Sequence, residues 1–267
     1  MKTFFKLFAV LLLILVSCKE AKKADGSEAG QTDSQLSTQN PTEKDQLIIT
    51  PVEHATAVIQ WGDVTIYIDP VGGSEAFAKH PKPDLILITD IHGDHFNAET
   101  LEGLDTSEAK IMVPQAVADQ MPAQFAPQLD ILNNGDTKER FNIVVEAIPM
   151  YNLREEAKNF HVKGRGNGYV LNMGGQRLYF SGDTEDIPEM RALENIDKAF
   201  ICMNLPYTMT VDSAADAVLE FTPKQVYPYH YRGRPDVSDV NQFASLVKSG
   251  DSNIEVVQLD WYPTEPY

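Results

Sequence analysis

Short apolar runs, alternating or continuous, recur along most of the chain and predict a protein built mainly from β-strands. The segment "ATAVIQWGDVTIYIDP" divides at Gly62-Asp63 into two β-rich runs, which predicts a hairpin. The run "DLILIT" is continuously apolar, which predicts a strand in the middle of a sheet. Further strands are predicted by "KIMVP", "NIVVEAIPMY", "GYVLNM", "QRLYFSGD", "KAFICMNLP", "KQVYPYH" and "IEVVQLDW".

Helical spacing appears between these strands. Apolar residues three and four positions apart predict helices in "AETLEGL", "PQAVADQM", "SAADAVLEF" and "VNQFASLV". The chain shows no repeat at solenoid periods and no composition break after Leu47. With 267 residues, 43% of them hydrophobic, it can bury a full core. We therefore expect one α/β domain over residues 47–267.

The N-terminal segment differs in character from the rest. Residues 1–17 contain Lys2 and Lys6, then an apolar block too short to be a comfortable membrane span, which predicts a signal peptide. The ending "LVSC" resembles the lipobox of bacterial lipoproteins, which implies lipidation at Cys18 and export to the periplasmic or cell-surface side of a membrane. An ordinary signal or an uncleaved tether is the alternative.

Residues 18–46 are expected to form a flexible tether between that anchor and the domain. From 19 to 45 they contain no aromatic residue and one leucine, so they cannot bury enough apolar area to offset their ordering entropy. The formal charge of the chain, -17, disfavours nucleic acid as a bulk partner and leaves a small molecule as the expected substrate. Apart from Cys18, the chain has only Cys202, in an apolar run that predicts an inert core thiol.

The stretch "TDIHGDH" contains the first candidate chemistry. Asp90, His92, Asp94 and His95 follow a predicted buried strand, and strand ends are where α/β proteins place ligands. Histidine and aspartate without cysteine suit zinc, manganese or iron in a catalytic site with open positions. The alternative is a turn in which the two aspartates cap the backbone.

Three further residues strengthen the metal hypothesis. His161 lies on a loop that enters a strand, Asp183 ends the strand in "YFSGDT", and His230 ends "QVYPYH". Three separate strand ends therefore present a side chain that commonly binds metals, which a random distribution would seldom give.

The order of "TDIHGDH", His161, "SGDT" and His230 resembles the metallo-β-lactamase superfamily of metal-dependent hydrolases, whose central motif is H-x-H-x-D-H. The opening hairpin is similar to the UlaG-like branch of lactonase relatives and phosphodiesterases acting on lipids. The resemblance covers residues 47–261. It implies an αββα sandwich of two mixed β-sheets flanked by helices, and hydrolysis of an ester, lactone or phosphodiester by a metal-bound hydroxide.

Carried over position by position, the resemblance implies two divalent ions, with zinc as the first expectation. The first ion would take position 90, His92 and His161, and the second would take Asp94, His95 and His230. Asp183 falls at the position of the bridging aspartate. Asp94 and Asp183, together with His54, are expected to take part in catalysis.

Asp90 departs from the family pattern, which usually has histidine there. A carboxylate ligand would shift the preference of the first site toward manganese or iron. Alternatively, Asp90 is too short, leaving His92, His161 and Asp183 with water, or the first site is empty and one ion sits at the other. Retention of the remaining first-site residues favours a dinuclear site with Asp90 as a ligand.

Several other side chains are candidates for supporting roles. His54 matches a histidine common in the UlaG-like branch and is expected on the substrate side, with a structural histidine as the alternative. Asp69 is expected to orient a ligating histidine or else to cap a turn. Candidates for lining the pocket are Tyr151, Asn152, Arg165, Asn204, Tyr207, Tyr229 and Arg232.

Two other functional classes stay open at this level. The superfamily includes iron enzymes that handle thiols or oxygen, and a carboxylate-rich first site is compatible with iron. The absence of a separate flavin-binding domain disfavours the electron-transfer members. A protein that keeps the fold as a metal or ligand sensor is the third class, and only Asp90 favours it.

Overall fold

The computed structural model describes residues 46–263. The predicted signal peptide, Cys18 and almost all of the predicted tether lie outside the described residues. Over the described range, no helix is long and apolar enough to cross a membrane.

The N-terminal half forms a six-stranded mixed sheet. Its first three strands are antiparallel and the last three join in parallel, so that the spatial order follows the chain order. The predicted hairpin is confirmed, since Trp61 pairs with Val64 around Gly62, whose φ of 57° favours glycine. The strands are β1 (Leu47–Glu53), β2 (Thr56–Trp61), β3 (Val64–Ile68), β4 (Leu85–Leu87), β5 (Lys110–Val113) and β6 (Leu129–Ile131).

The C-terminal half forms a seven-stranded mixed sheet in which β7 and β13 are the edges. Strands β7 to β10 pair antiparallel, and β10 to β13 pair in parallel. Gly174 and Gly175 turn β9 into β10, as predicted. The strands are β7 (Thr137–Arg140), β8 (Ile143–Met150), β9 (Gly166–Met173), β10 (Gln176–Phe180), β11 (Lys198–Ile201), β12 (Gln225–Pro228) and β13 (Glu255–Val256).

Helices cover the outer faces of both sheets. All four predicted helices are present, together with the single turn α3, which the apolar spacing did not predict. Side-chain caps at Asn97, Thr210 and Asp239 begin α1, α4 and α5 by accepting hydrogen bonds from backbone N–H groups. The helices are α1 (Ala98–Gly103), α2 (Gln115–Ala118), α3 (Pro188–Arg191), α4 (Val211–Phe221) and α5 (Val240–Gly250).

Alternate residues of the first sheet enter two different cores. Ile59, Ile66 and Leu87 pack in the core shared with the second sheet. Their neighbours, such as Tyr67 and Ile86, pack on the opposite face with α1 and α2. Because both faces of β4 are buried, "DLILIT" has no polar alternation. The predicted αββα sandwich is confirmed.

The pattern missed β6 and β7, because β6 has only three residues and β7, with the sequence TKER, contains no apolar residue. It also predicted a longer last strand, whereas β13 pairs only at Glu255 and Val256, on the edge of its sheet.

One buried hydroxyl ties the two sheets together. Tyr169 in β9 donates to the carbonyl oxygen of Ile88, 2.9 Å away, where the chain leaves β4. Tyr179 in β10 is equally buried, but its hydroxyl has no hydrogen-bond partner in the described part of the chain. The two tyrosines therefore differ in hydrogen bonding but not in burial.

We expect Tyr169→Phe to lower the free energy of unfolding by about 1–2 kcal/mol, because a buried carbonyl loses its donor. Tyr179→Phe should change it by less than about 0.5 kcal/mol or raise it, because no bond is lost. Urea unfolding of both variants measures the difference. Equal losses would show that the inter-sheet bond adds nothing to stability.

Candidate metal centre

The seven predicted metal ligands meet at one edge of the sandwich. They arrive on the loop after β4, the loop between β8 and β9, and the segments after β10 and β12. At this edge, the backbone of His54 and of His230 has a positive φ value, 56° and 48°, a conformation that costs free energy for residues with a side chain. Gly182, before Asp183, has a φ of 60°, and its N–H donates to the Tyr229 hydroxyl at 2.9 Å.

Asp69 fixes the orientation of His95. This fully buried carboxylate accepts hydrogen bonds from the N–H and the hydroxyl of Thr89, both at 2.7 Å. It lies 2.8 Å from Nδ1 of His95. Because the carboxylate can only accept, His95 carries a proton on Nδ1 and turns Nε2 toward the centre.

The atoms facing His95 Nε2 are themselves donors to metals. Nε2 of His230 lies 3.0 Å away, and Oδ2 of Asp183 lies 3.4 Å away. Nε2 of His230 is also 3.2 Å from Oδ1 of Asp183 and 3.5 Å from Oδ2 of Asp94. Two ring nitrogens and two carboxylates therefore converge on one point.

Hydrogen bonding within residues 46–263 leaves this cluster incompletely satisfied. Oδ1 of Asp183 accepts no well-aligned hydrogen bond although the atom is buried, and Nδ1 of His230 also has no partner. Two imidazole nitrogens 3.0 Å apart and an under-satisfied carboxylate suit a divalent cation between them. The cluster of Asp94, His95, Asp183 and His230 therefore fits zinc, manganese or iron.

The field at this cluster also favours a cation. Burial acts to raise the pKa of Asp183, but His230, His95 and His161 outweigh it and hold that pKa well below its ordinary value. Burial likewise acts to lower the pKa of His95, but Asp183, Asp69 and Asp94 raise it well above its ordinary value. A metal ion would meet the same negative potential and displace the Nε2 proton.

His54 flanks the cluster on the cleft side. Its Nε2 lies 3.4 Å from Asp94 and its Nδ1 lies 2.8 Å from the Tyr262 hydroxyl. Its ring centre is 3.9 Å from that of His230. Burial, with the nearby His230, lowers the pKa of His54 to about 4, so its ring is neutral at pH 7.

The other half of the site contains Asp90, His92, His161 and Arg165. Asp90 is fully buried, and the Arg165 guanidinium donates to both of its oxygens, at 3.0 and 2.7 Å. Burial acts to raise the pKa of Asp90, but hydrogen bonds from His92 and Arg165 hold it below its ordinary value. His161 directs Nε2 toward Oδ2 of Asp183, 3.0 Å away.

A cleft of about 410 Å³ opens over both halves. Phe160 and Tyr207 form an aromatic wall, with ring centres 5.1 Å apart. The cleft is lined by His54, His92, Asp94, Phe160, His161, Asp183, Asn204, Tyr207, Arg232, Gly233 and Arg234.

Comparison with known proteins agrees with this geometry. A family model described as a beta-lactamase superfamily domain matches residues 48–230. The chain belongs to the metallo-β-lactamase superfamily.

Relatives within the superfamily share most of the chain. A UPF0173 metal-dependent hydrolase of Archaeoglobus fulgidus is 29% identical over 82% of this chain and 97% of that protein. One from Pyrococcus abyssi is 30% identical over 73% of this chain and 89% of that protein. A crystal structure of a proposed metal-dependent hydrolase from Parabacteroides distasonis is 36% identical, covers 79% of this chain and 92% of that one, and has a TM-score of 0.71.

Within this metallo-β-lactamase fold, the predicted supporting residues lie in three kinds of position. Asn204, Tyr207 and Arg232 line the cleft. Asp69 and Asn152 contact ligating histidines from behind, with Oδ1 of Asn152 3.2 Å from Nδ1 of His161. The remaining three candidates are outside the cleft lining.

Those three residues make other contacts. Arg165 pairs with Asp90, and the Tyr229 hydroxyl holds Gly182. Tyr151 was predicted for the pocket, but its hydroxyl donates to Glu189 at 2.9 Å. Like Asn152, Arg165 and Tyr229, Tyr151 is therefore not among the described residues that line the cleft, because its side chain at the end of β8 points to the α3 side.

Sequence reasoning missed Thr89, Tyr262 and Arg234. Thr89 and Tyr262 act on Asp69 and His54 across long sequence separations, which no local pattern encodes. Arg234 follows His230 by four residues, and its proximity to a ligand was the one available signal.

We expect Asp69→Asn to weaken metal binding by about 10–100-fold, because the amide no longer fixes the tautomer and orientation of His95. Asp84→Asn is the matched control, since Asp84 accepts a backbone N–H from Thr65 at the opposite end of β4. Competition with a chromophoric chelator measures both affinities. Equal affinity in wild type and Asp69→Asn would contradict the role given to Asp69.

Proposed function

We propose that the protein hydrolyses an ester, lactone or phosphodiester with the aid of a divalent ion, zinc first. The observation that supports this most strongly is the convergence of His95, His230, Asp94 and Asp183 beneath an open cleft. Such an ion lowers the pKa of bound water toward neutrality and polarises a carbonyl or phosphoryl oxygen. The metal-dependent hydrolases among its relatives share this fold.

The side chains around the cleft favour water as the nucleophile. No serine, threonine, cysteine or lysine is among the described residues that line it. Cys202 is fully buried, and burial raises the pKa of its thiol to about 12, so it supplies no thiolate. A covalent intermediate on a hydroxyl of serine or threonine, a thiol or a lysine amine therefore has no candidate among the described cleft residues.

Asp94 is the proposed proton acceptor for that water. Both carboxylates line the cleft, but the side chain of Asp94 is 43% exposed and that of Asp183 only 4%, so Asp94 is the more accessible of the two. Asp183 is proposed to hold the cluster together, because three histidines surround it. His54 beside Asp94 is proposed to face the substrate.

Two arginines favour a substrate with an anionic group. Arg232 and Arg234 line the cleft of a chain whose formal charge is -17. Positive charge in one cleft of an acidic protein concentrates anionic ligands there. A phosphodiester, or an ester that carries a carboxylate, fits this arrangement better than a neutral ester.

Chelation should abolish hydrolysis of bis(p-nitrophenyl) phosphate and p-nitrophenyl acetate, and added zinc or manganese should restore it. Asp183→Asn should lower kcat/KM at least about 100-fold, because the buried cluster loses a negative charge. Turnover and oxygen consumption are recorded together. Activity that persists without metal would contradict the proposal, and metal-dependent oxygen uptake without hydrolysis would favour the iron redox class.

We expect Arg234→Gln to raise KM for the phosphodiester about tenfold and to leave the neutral ester nearly unchanged, because only the anion loses a charge-assisted hydrogen bond. Lys248→Gln is the control, as it removes the same charge from an exposed position on α5. Steady-state kinetics on both substrates separate the two effects. An equal change for both substrates would contradict an anion-binding role.

A further inference from the structure

We propose that the Arg165 guanidinium, held by Asp90, takes the place of one metal ion, so that the chain binds a single divalent ion at Asp94, His95, Asp183 and His230. The inference rests on the proposed function only in requiring that this cluster binds metal. The expectation of two ions treats Asp90 as a free carboxylate, whereas the structure pairs both of its oxygens with Arg165.

The Asp90–Arg165 pair has the geometry of a strong ion pair. Nε donates to one oxygen and Nη2 to the other, and Asp90 has no exposed surface. A buried carboxylate is retained as a charge when it is paired in this way. The Asp90 oxygens are therefore committed to the guanidinium.

Both ring nitrogens of His92 are likewise engaged by this ion pair. Its Nδ1 lies 3.0 Å from Oδ2 of Asp90, and its Nε2 lies 3.4 Å from Nη2 of Arg165. A carboxylate can only accept and a guanidinium can only donate, so the ring carries its proton on Nδ1 and turns its lone pair to Arg165. That lone pair is the one a metal ion would need.

Nη2 of Arg165 thus lies next to the atoms that would coordinate an ion in the first site. Besides Asp90 and His92, Nη2 donates to the carbonyl oxygen of Phe160 at 2.6 Å. Three acceptor atoms surround a positively charged group there, as they would surround a cation.

His161 belongs to the other cluster. The amide nitrogen of Asn152 donates to the carbonyl oxygens of Ala157 and Tyr207, which leaves Oδ1 of Asn152 to accept from Nδ1 of His161. Nε2 of His161 therefore faces Asp183, 3.0 Å away, while Oδ2 of Asp90 is 4.0 Å away. By distance, His161 therefore groups with Asp183 and not with Asp90 and His92.

The charges balance with one ion. Asp90 and Arg165 cancel, and the negative charges of Asp94 and Asp183 match one divalent ion between neutral histidines. A second divalent ion would leave a net charge of about +2 in a largely buried site and lie against the guanidinium, which is unfavourable at low effective dielectric.

The test counts and locates ions in the purified full chain, loaded with excess zinc or manganese and then desalted. We expect about one ion per chain by plasma mass spectrometry, with anomalous scattering from a crystal at His95, Asp183 and His230. The double variant Asp90→His/Arg165→Met should bind about two, because it supplies a neutral nitrogen and removes the guanidinium. Arg165→Lys, which keeps the positive charge, should bind about one.

Two ions in the wild type, or one ion at Asp90, His92 and His161, would overturn the proposal. A double variant that folds by thermal melting but still binds one ion would also overturn it. If that variant does not fold, the wild-type count and the anomalous peak decide alone. A wild type that binds no ion would contradict the proposed function itself, an outcome distinct from binding two.

Discussion

The buried carboxylate of Asp183 is the group on which the rest of the site depends. Three histidine nitrogens lie within 3.4 Å of it, and they reach it from three separate loops. An unpaired carboxylate in this position would carry a large desolvation penalty. The sandwich brings both sheets to the same edge, and the positive φ value of His230 is a local cost that this convergence imposes.

Rigidity at this edge comes from groups behind the ligands. Asp69 fixes His95, Asn152 fixes His161, and the Tyr229 hydroxyl fixes Gly182. Tyr169 adds a bond between the sheets beside the same loop. Each of these partners lies on or next to a strand, so the positions of the ligands follow from the sheets and not from the loops alone.

Local pattern was sufficient to predict most of the strands and helices, whereas the sandwich they form was implied by the resemblance to a known family. The hairpin at Gly62 and the turn at Gly174 were predicted because glycine and alternating strands act over a few residues. The candidate ligands were found because histidine and aspartate recur at strand ends in the order of a known family. Strands β6 and β7 were not predicted, because β6 has only three residues and β7 contains no apolar residue.

What the sequence could not supply were pairings across the chain. Arg165 follows Asp90 by 75 positions, and Tyr262 follows His54 by 208, so neither contact has a local signature. Tyr151 is not among the residues that line the cleft for a related reason: its position at a strand end was correct, but the direction of its side chain depends on Glu189 and Lys163.

The Asp90–Arg165 pair changes what the residue at position 90 means. Considered alone, aspartate in place of histidine is a weaker or harder ligand at an otherwise complete site. Considered with Arg165, it is the anion of a neutral ion pair that occupies the position of the first metal ion. Histidine at position 90 with Arg165 retained would leave a cation whose side chain is only 19% exposed without its carboxylate, and Asp90 without Arg165 would leave a buried anion. The two positions are therefore coupled by charge, and the metal count follows from the pair.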